Sequence, residues 1–186
     1  QKYSQLQEFY SQGRYSEAIS VAKEYLELAK KEYGPRGEAA VLSWLGFFYQ
    51  KVGRYGEAEP LYKRSLAIRE KTLGPEHPDV ALVLNNLALL YKTQGRYGEA
   101  EPLYKRALAI NEKALGPEHP SVALALNNLA ELYTDQGRYG EPELFYKRSL
   151  AIYEKTLGPE HPSVAISLNN LALLYKTQGR YGEAEP

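Results

Sequence analysis

The sequence contains no cysteine among its 186 residues. This absence excludes disulfide bonds, thiol catalysis and thiolate metal sites, and it leaves the redox compartment open, with the cytoplasm as the default prediction. No apolar run approaches the roughly eighteen residues that a membrane span needs, so we predict no membrane partner. Neither sign of charge is in excess, because 23 basic residues balance 23 acidic residues. Nucleic acid binding needs a positive field, so no nucleic acid partner is expected.

Motifs of catalysis and cofactor binding are also missing. There is no nucleophile elbow, no zinc-protease motif and no glycine-rich phosphate loop. The only histidines, His77, His119 and His161, each lie in a Pro-Glu-His-Pro link. Equivalent atoms of stacked repeats lie on the order of 10 Å apart, whereas zinc–ligand bonds are about 2 Å long, so a turn role is favoured over a metal site. We predict no enzyme, no cofactor and no metal.

An internal repeat dominates what is present. The tripeptide Gly-Arg-Tyr begins at positions 13, 53, 95, 137 and 179, and 31 of 42 positions are identical between residues 79–120 and 121–162. Such identity indicates recent duplication or deliberate design. The predicted organisation is a single array with a divergent N-terminal capping repeat, three full repeats and a half repeat. Their bounds are 1–36, 37–78, 79–120, 121–162 and 163–186.

The apolar spacing within a repeat predicts two helices. Leu84, Leu87, Ala88 and Tyr91 recur at i, i+3, i+4 and i+7, on one face of a first helix, helix A, which Gly95 ends. A second helix, helix B, follows with its own apolar stripe: Tyr104, Ala107, Leu108 and Leu115. One helix pair cannot close a core alone, so neighbouring repeats must stack. The whole chain is predicted to contain nine full helices.

These residues resemble the tetratricopeptide repeat signature, with small residues at Ala88, Ala100 and Ala107 between large ones. The stretches LNNLALLYKTQGRYGEAEPLYKRALAI and LGPEHPDVA resemble the 42-residue variety of kinesin light chains and of many bacterial and fungal repeat proteins. The resemblance covers residues 38–186 well and residues 1–31 loosely. It implies an all-α fold, a right-handed superhelical solenoid of antiparallel helix pairs with the A helices on its inner surface.

The face of helix A opposite its core is the candidate peptide-binding groove. An asparagine side chain offers both a donor and an acceptor, so it suits pairing with the backbone of an extended peptide. The candidate groove residues on this face of the later repeats are Asn85, Leu89, Lys92, Asn127, Glu131, Asp135, Asn169, Leu173 and Lys176. The second asparagine of each pair, at positions 86, 128 and 170, fits a groove contact and a structural bridge about equally well.

The second repeat differs from the later ones. Trp44 and Phe47 stand where the later repeats have asparagine and leucine or glutamate. One interpretation is an anchor pocket at the groove. The other, which we favour, is packing beneath the divergent first repeat.

Two classes of function fit the sequence. The first is a protein–protein interaction scaffold that binds an extended peptide or partner segment; the alternative is a structural, self-assembling or designed array without a ligand. The groove residues differ between repeats, which favours the scaffold, whereas the near identity elsewhere favours the array. The differing residues are Glu131 and Asp135 in one repeat against Lys92, Thr93, Lys176 and Thr177 in the others. In kinesin light chains, basic groove residues bind acidic, Trp-containing cargo. Here Glu131 and Asp135 lie between the few lysines, so cargo binding is not carried over.

The half repeat predicts an apolar end, because its helix A lacks a full helix B. Some of Leu168, Leu171, Ala172 and Tyr175 should therefore be open to water. Tail-to-tail pairing of two copies through residues 163–186 would cover them and close as a two-fold dimer. We expect weak, concentration-dependent self-association.

Overall fold

The computed structural model describes residues 2–184, and these residues form helices and no strand. In chain order the helices are α1 (Lys2–Ser11), α2 (Tyr15–Lys51), α3 (Tyr55–Leu73), α4 (Pro78–Thr93), α5 (Tyr97–Leu115), α6 (Pro120–Asp135), α7 (Pro142–Leu157), α8 (Pro162–Thr177) and α9 (Tyr181–Ala184). The all-α prediction is confirmed. Within the described range, no helix has the length and apolar character needed to cross a membrane.

Helix α2 contains two of the predicted helices. At Gly34 the backbone has φ 63° and ψ −152°, a conformation that glycine adopts readily and other residues do not. The next residue, Pro35, has no N–H to donate, which suits the start of a helix, where that N–H would have no partner in the helix. The kink separates helix B of the first repeat from helix A of the second. With α2 counted as two, residues 2–184 contain the nine full helices predicted, followed by the start of another.

Each Gly-Arg-Tyr motif forms the turn from helix A to helix B. Gly95 has φ 72°, and the N–H of Arg96 donates to the carbonyl of Tyr91 at 2.9 Å. The Arg96 guanidinium lies 4.1 Å from the centre of the Tyr91 ring, and its Nε donates to Glu99 at 2.6 Å. The next two motifs repeat the cation–ring contact at 3.9 and 4.3 Å. The motif therefore ends one helix and orients the next.

Each Pro-Glu-His-Pro link opens a helix A. His119 Nδ1 accepts a hydrogen bond from the Ser121 N–H at 3.1 Å, and His161 accepts one from Ser163 at the same distance. These bonds satisfy N–H groups that have no partner in the first helical turn. The turn role predicted for the histidines is confirmed. No group of three or more His, Asp or Glu side chains suited to a metal ion occurs among residues 2–184.

Contacts divide the chain into two compact units, separated between Leu90 and Tyr91. In unit 1 the largest fully buried side chains include Leu6, Leu42, Leu45, Phe48 and Tyr62. In unit 2 one apolar cluster contains Leu126, Ile152 and Val164, which come from α6, α7 and α8. The unit 2 cluster thus draws on one helix pair and the next helix A, as expected for repeats that cannot bury their own core.

The last repeat is only partly open to water. Leu168 is 46% exposed and Ala172 is partly exposed, whereas Leu171 and Tyr175 are buried. Tyr175 is covered because Arg180 stacks on its ring and its hydroxyl donates to Glu143 of α7 at 3.1 Å. Further exposed apolar side chains at this end are Ile166, Leu173 and Tyr181. Residues 185 and 186 of the predicted self-association segment lie outside the described range.

Candidate functional site

The predicted groove residues differ widely in exposure. Those exposed to solvent are Leu89, Asp135, Asn169, Leu173 and Lys176, and those partly buried are Trp44, Phe47, Lys92 and Glu131. One further apolar side chain on the same face is about half exposed in each later helix A: Leu82, Leu124 and Ile166. A row of isolated apolar side chains is ordinary for a protein surface and does not by itself define a site.

The first asparagine of two pairs does not face solvent. Asn85 is 7% exposed and Asn127 is 6% exposed, which corrects the expectation that both line the groove. Asn127 is covered by the following helix A: Asn170 Nδ2 donates to Asn127 Oδ1 at 3.4 Å and to Glu131 Oε1 at 3.0 Å. Asn169 of the last repeat is exposed. The structural bridge weighed for the second asparagine is therefore observed at Asn170.

Lys92 is committed to neighbouring carboxylates. Its Nζ lies 2.8 Å from Glu131 and 3.3 Å from Asp135, and its side chain is 14% exposed. Burial lowers the pKa of Lys92, but the hydrogen bond and charge of Glu131, together with the charge of Asp135, outweigh burial and hold the pKa above its ordinary value. Lys92 stays protonated, and the carboxylates of Glu131 and Asp135 balance its positive charge. It is therefore poorly suited to binding an acidic ligand.

Unit 1 contains an open cavity of about 510 Å³, which we call the Trp44 pocket. Its lining residues are Tyr3, Tyr10, Ala40, Ser43, Trp44, Phe47, Arg69, Asp79, Leu82 and Asn86. The pocket exists because Ala40 stands where the later repeats have Leu82, Leu124 or Ile166, so the large side chain of this position is missing. Trp44 also borders a second cavity of about 340 Å³.

The aromatic residues of the second repeat both pack against the first repeat and line the open pocket. The ring of Tyr10 in α1 lies 5.6 Å from Trp44 and 5.5 Å from Phe47, so these residues do pack beneath the first repeat. The same two side chains remain partly exposed and line the open pocket. A second contact fixes the wall, because Trp44 stacks on Phe48, which is fully buried, at 5.5 Å. The pocket wall is consequently a packed aromatic surface.

An ion pair closes one side of the Trp44 pocket. Arg69 Nη1 lies 2.9 Å from Asp79 Oδ2, and the Arg69 side chain is 12% exposed. Burial lowers the pKa of Arg69, and the charge of Asp79 opposes that effect. The buried Nε of Arg69 has no hydrogen-bond partner among the described residues. The pair gives the pocket a polar side without net charge.

Sequence reasoning missed several lining residues. Ala40 was detectable as the small residue at a position otherwise filled by leucine or isoleucine, and Arg69 as the charged residue where Asn111 and Tyr153 stand later. Tyr3 and Tyr10 gave no signal, because the residues before Gly-Arg-Tyr in the first repeat share little with those of the later repeats. A comparison of equivalent positions by side-chain volume would have found Ala40, and a comparison by charge would have found Arg69.

Comparison with known proteins agrees with the helix-pair architecture. A model of the tetratricopeptide repeat family matches residues 37–113, 82–155 and 122–186. The crystal structure of BtubC (BKLC) from P. vanneervenii is similar at 27% identity with a TM-score of 0.84, over 97% of this chain and 72% of that one. No curated protein gives a significant match.

Two further structures are similar. One, from Podosopora anserina, is described as a kinesin light chain with nearly identical TPR-like repeats; it is 30% identical with a TM-score of 0.80, over 99% of this chain and 88% of that one. The other is MamA, 18% identical with a TM-score of 0.62 over 95% of this chain and 86% of that one, which supports the fold alone.

Proposed function

Since the chain belongs to the tetratricopeptide repeat family, we propose that it is a protein-interaction scaffold that anchors a bulky apolar side chain of an extended peptide in the Trp44 pocket. Repeat scaffolds of this family commonly mediate protein interactions. The single observation that carries the proposal is the pocket itself, an aromatic cavity at the one helix A where the groove-facing leucine is replaced by Ala40.

The size and lining of the pocket support this role. A volume of about 510 Å³ lies within the roughly 300–1,000 Å³ typical of ligand pockets. Burying one large apolar side chain contributes about 1.5–3 kcal/mol, and an aromatic pair adds about 0.5–1.5 kcal/mol. Such an anchor is the usual centre of a peptide interface.

Polar groups beside the pocket suit a peptide backbone. Asn86 lines the pocket and is partly exposed, so it takes the role that we first assigned to its buried neighbour Asn85. An amide side chain can donate to a peptide carbonyl and accept from a peptide N–H. The exposed members of the predicted groove in each unit, Leu89 in unit 1 and Asp135, Asn169, Leu173 and Lys176 in unit 2, remain proposed contacts. A cytoplasmic location and the absence of a nucleic acid partner also remain proposals, which rest on composition.

The experiment fills the pocket with the side chain that the other repeats carry. A random peptide library is selected on the whole chain, and binders are measured by the emission of Trp44, the only tryptophan. We expect binders with a large apolar residue, and Ala40→Leu should weaken them by about tenfold or more, the equivalent of about 1.4 kcal/mol. The matched control, Leu124→Ala, changes the equivalent position of unit 2 and should leave binding within about twofold.

Two results would contradict the proposal. Binders whose affinity is the same in Ala40→Leu do not use the pocket. A library without any binder that shifts the Trp44 emission would favour the alternative, a structural array without a ligand of its own.

A further inference from the structure

Two positions of helix A meet at the junction between neighbouring repeats. One is the third residue before the glycine of Gly-Arg-Tyr, and the other is the sixth residue before the same glycine in the next repeat. In unit 1 these positions are Tyr10 and Phe47, whose rings lie 5.5 Å apart. In unit 2 they are Lys92 and Glu131, which form an ion pair at 2.8 Å. We call these two residues a junction pair.

The chemistry of each observed junction pair is matched. An aromatic residue meets an aromatic residue in unit 1, and a cation meets an anion in unit 2. Where the second position is leucine, the first is uncharged: Gln50 precedes Leu89, and Thr134 precedes Leu173. Thr134 turns its hydroxyl to its own helix, where it donates to the Ala130 carbonyl at 2.9 Å. Lysine therefore stands at a junction only where a carboxylate faces it.

The charged junction is more than one ion pair. Asp135, one turn after Glu131, is a second carboxylate on Lys92 at 3.3 Å. Two carboxylates four residues apart lie on one face of a helix, so both can form ion pairs with a single ammonium group. Because the Lys92 side chain is only 14% exposed, losing the carboxylates would leave a largely buried charge without a partner, which is strongly unfavourable.

Helix α8 presents the equivalent surface, and no later helix of the A type packs on it within residues 2–184. Residues 168–186 repeat residues 84–102 without a change, so Lys176 is the equivalent of Lys92. Lys176 is exposed, and within residues 2–184 it forms no ion pair. Asn169 and Leu173 on the same helix are exposed as well, and Leu173 is 56% exposed.

We infer that this face of α8 is a docking surface for another helix of the A type, one that carries a carboxylate pair in the register of Glu131 and Asp135. Leu173 supplies apolar contact that many helices would accept, whereas Lys176 supplies selectivity, since a helix with leucine and threonine at the acidic positions would bury its charge unpaired.

The test extends the whole chain at Pro186 with a copy of residues 103–162. Because residues 168–186 equal residues 84–102, this extension restores the sequence context that follows residue 102 and supplies a new acidic helix to α8. The matched control carries leucine and threonine in place of the appended glutamate and aspartate, as α8 itself does at Leu173 and Thr177. Each extension is made with Lys176 and with Lys176→Thr, and hydrogen exchange of the appended helix is measured.

The four proteins form a double-mutant cycle. With Lys176, we expect the acidic extension to be protected about tenfold or more above the leucine–threonine extension. Lys176→Thr should remove most of that protection from the acidic extension. It should restore the leucine–threonine extension to within about threefold, because this combination repeats the positions at which Thr134 precedes Leu173. Equal protection in all four proteins, or greater protection of the leucine–threonine extension on Lys176, would overturn the inference.

Discussion

Histidine is an unusual choice for the N-cap, the residue just before a helix, and its geometry here explains its use. The imidazole Nδ1 of His119 accepts from the N–H two residues on, which is the task that serine, threonine or aspartate normally performs at this position. An accepting Nδ1 carries no proton, so the neutral tautomer with the proton on Nε2 is the one that fits. Pro120 follows and fixes φ for the first helical residue.

Removing this acceptor should destabilise the protein modestly. His119→Ala leaves the Ser121 N–H of α6 without its partner, and the expected cost is about 1 kcal/mol of unfolding free energy, the usual value of an N-cap. The measurement is urea unfolding followed by circular dichroism. His119→Asn keeps a side-chain acceptor at the cap and should fall within about 0.5 kcal/mol of the natural protein. Equal loss in both variants would mean that the ring packs rather than caps.

At the scale of helices, the side-chain contact between helix B and the next helix A has two chemical forms. In unit 1, Arg69 of α3 pairs with Asp79 of α4. In unit 2, at the positions 42 residues further on, Asn111 of α5 donates through Nδ2 to the carbonyl of Ser121 in α6 at 3.3 Å. A charged pair and a neutral amide bond thus perform the same task in neighbouring repeats, and the chain itself supplies the exchange to be tested.

Replacing the Arg69–Asp79 ion pair by the asparagine and serine of unit 2 should be tolerated only when both residues are changed together. Asp79→Ser leaves the Arg69 guanidinium largely buried and unpaired, with an expected cost of about 3 kcal/mol. Arg69→Asn leaves Asp79 without its ion-pair partner, but Asp79 is half exposed to water. This substitution should therefore cost only about 1 kcal/mol. The double variant Arg69→Asn with Asp79→Ser should recover most of the loss of Asp79→Ser, because the buried charge is gone. Thermal and urea unfolding of the four proteins measure this, and additive losses would contradict it.

The helices could be predicted from the sequence, and the direction of individual side chains only partly. An apolar period of 3.6 residues, with glycine at each helix end, fixes where helices lie, as the turn at Gly95 confirms. Asn127 was misplaced because a rotation of 100° per residue gives its angle on helix A but not what packs there, and Asn170 of the next repeat covers it. The Trp44 pocket depends on a missing side chain at Ala40, an effect of volume that no periodicity records.

At the scale of the whole molecule, the last repeat combines apolar and basic surface. Leu168 and Leu173 are about half exposed, Tyr181 is 64% exposed, and Lys176 lies among them. A two-fold pairing of this end would bring like surfaces together, so leucine would meet leucine while the two copies of Lys176 repel each other. Apolar burial therefore favours such a contact, and charge opposes it.

These two terms set the strength of the predicted self-association. Burying two or three large side chains at about 1.5–3 kcal/mol each contributes about 3–9 kcal/mol in total, which is comparable with an association cost of at least about 4 kcal/mol. A polypeptide of these 186 residues should consequently dimerise weakly, at high concentration, and more strongly in high salt, where the repulsion between lysines is screened. Sedimentation equilibrium at low and high salt measures this. Leu168→Gln should abolish the dimer, whereas Leu28→Gln, at an exposed leucine of unit 1, should not. A single molecular mass at every concentration and salt would show that the end is not a contact surface between copies, and it would leave an acidic helix as the occupant to be sought.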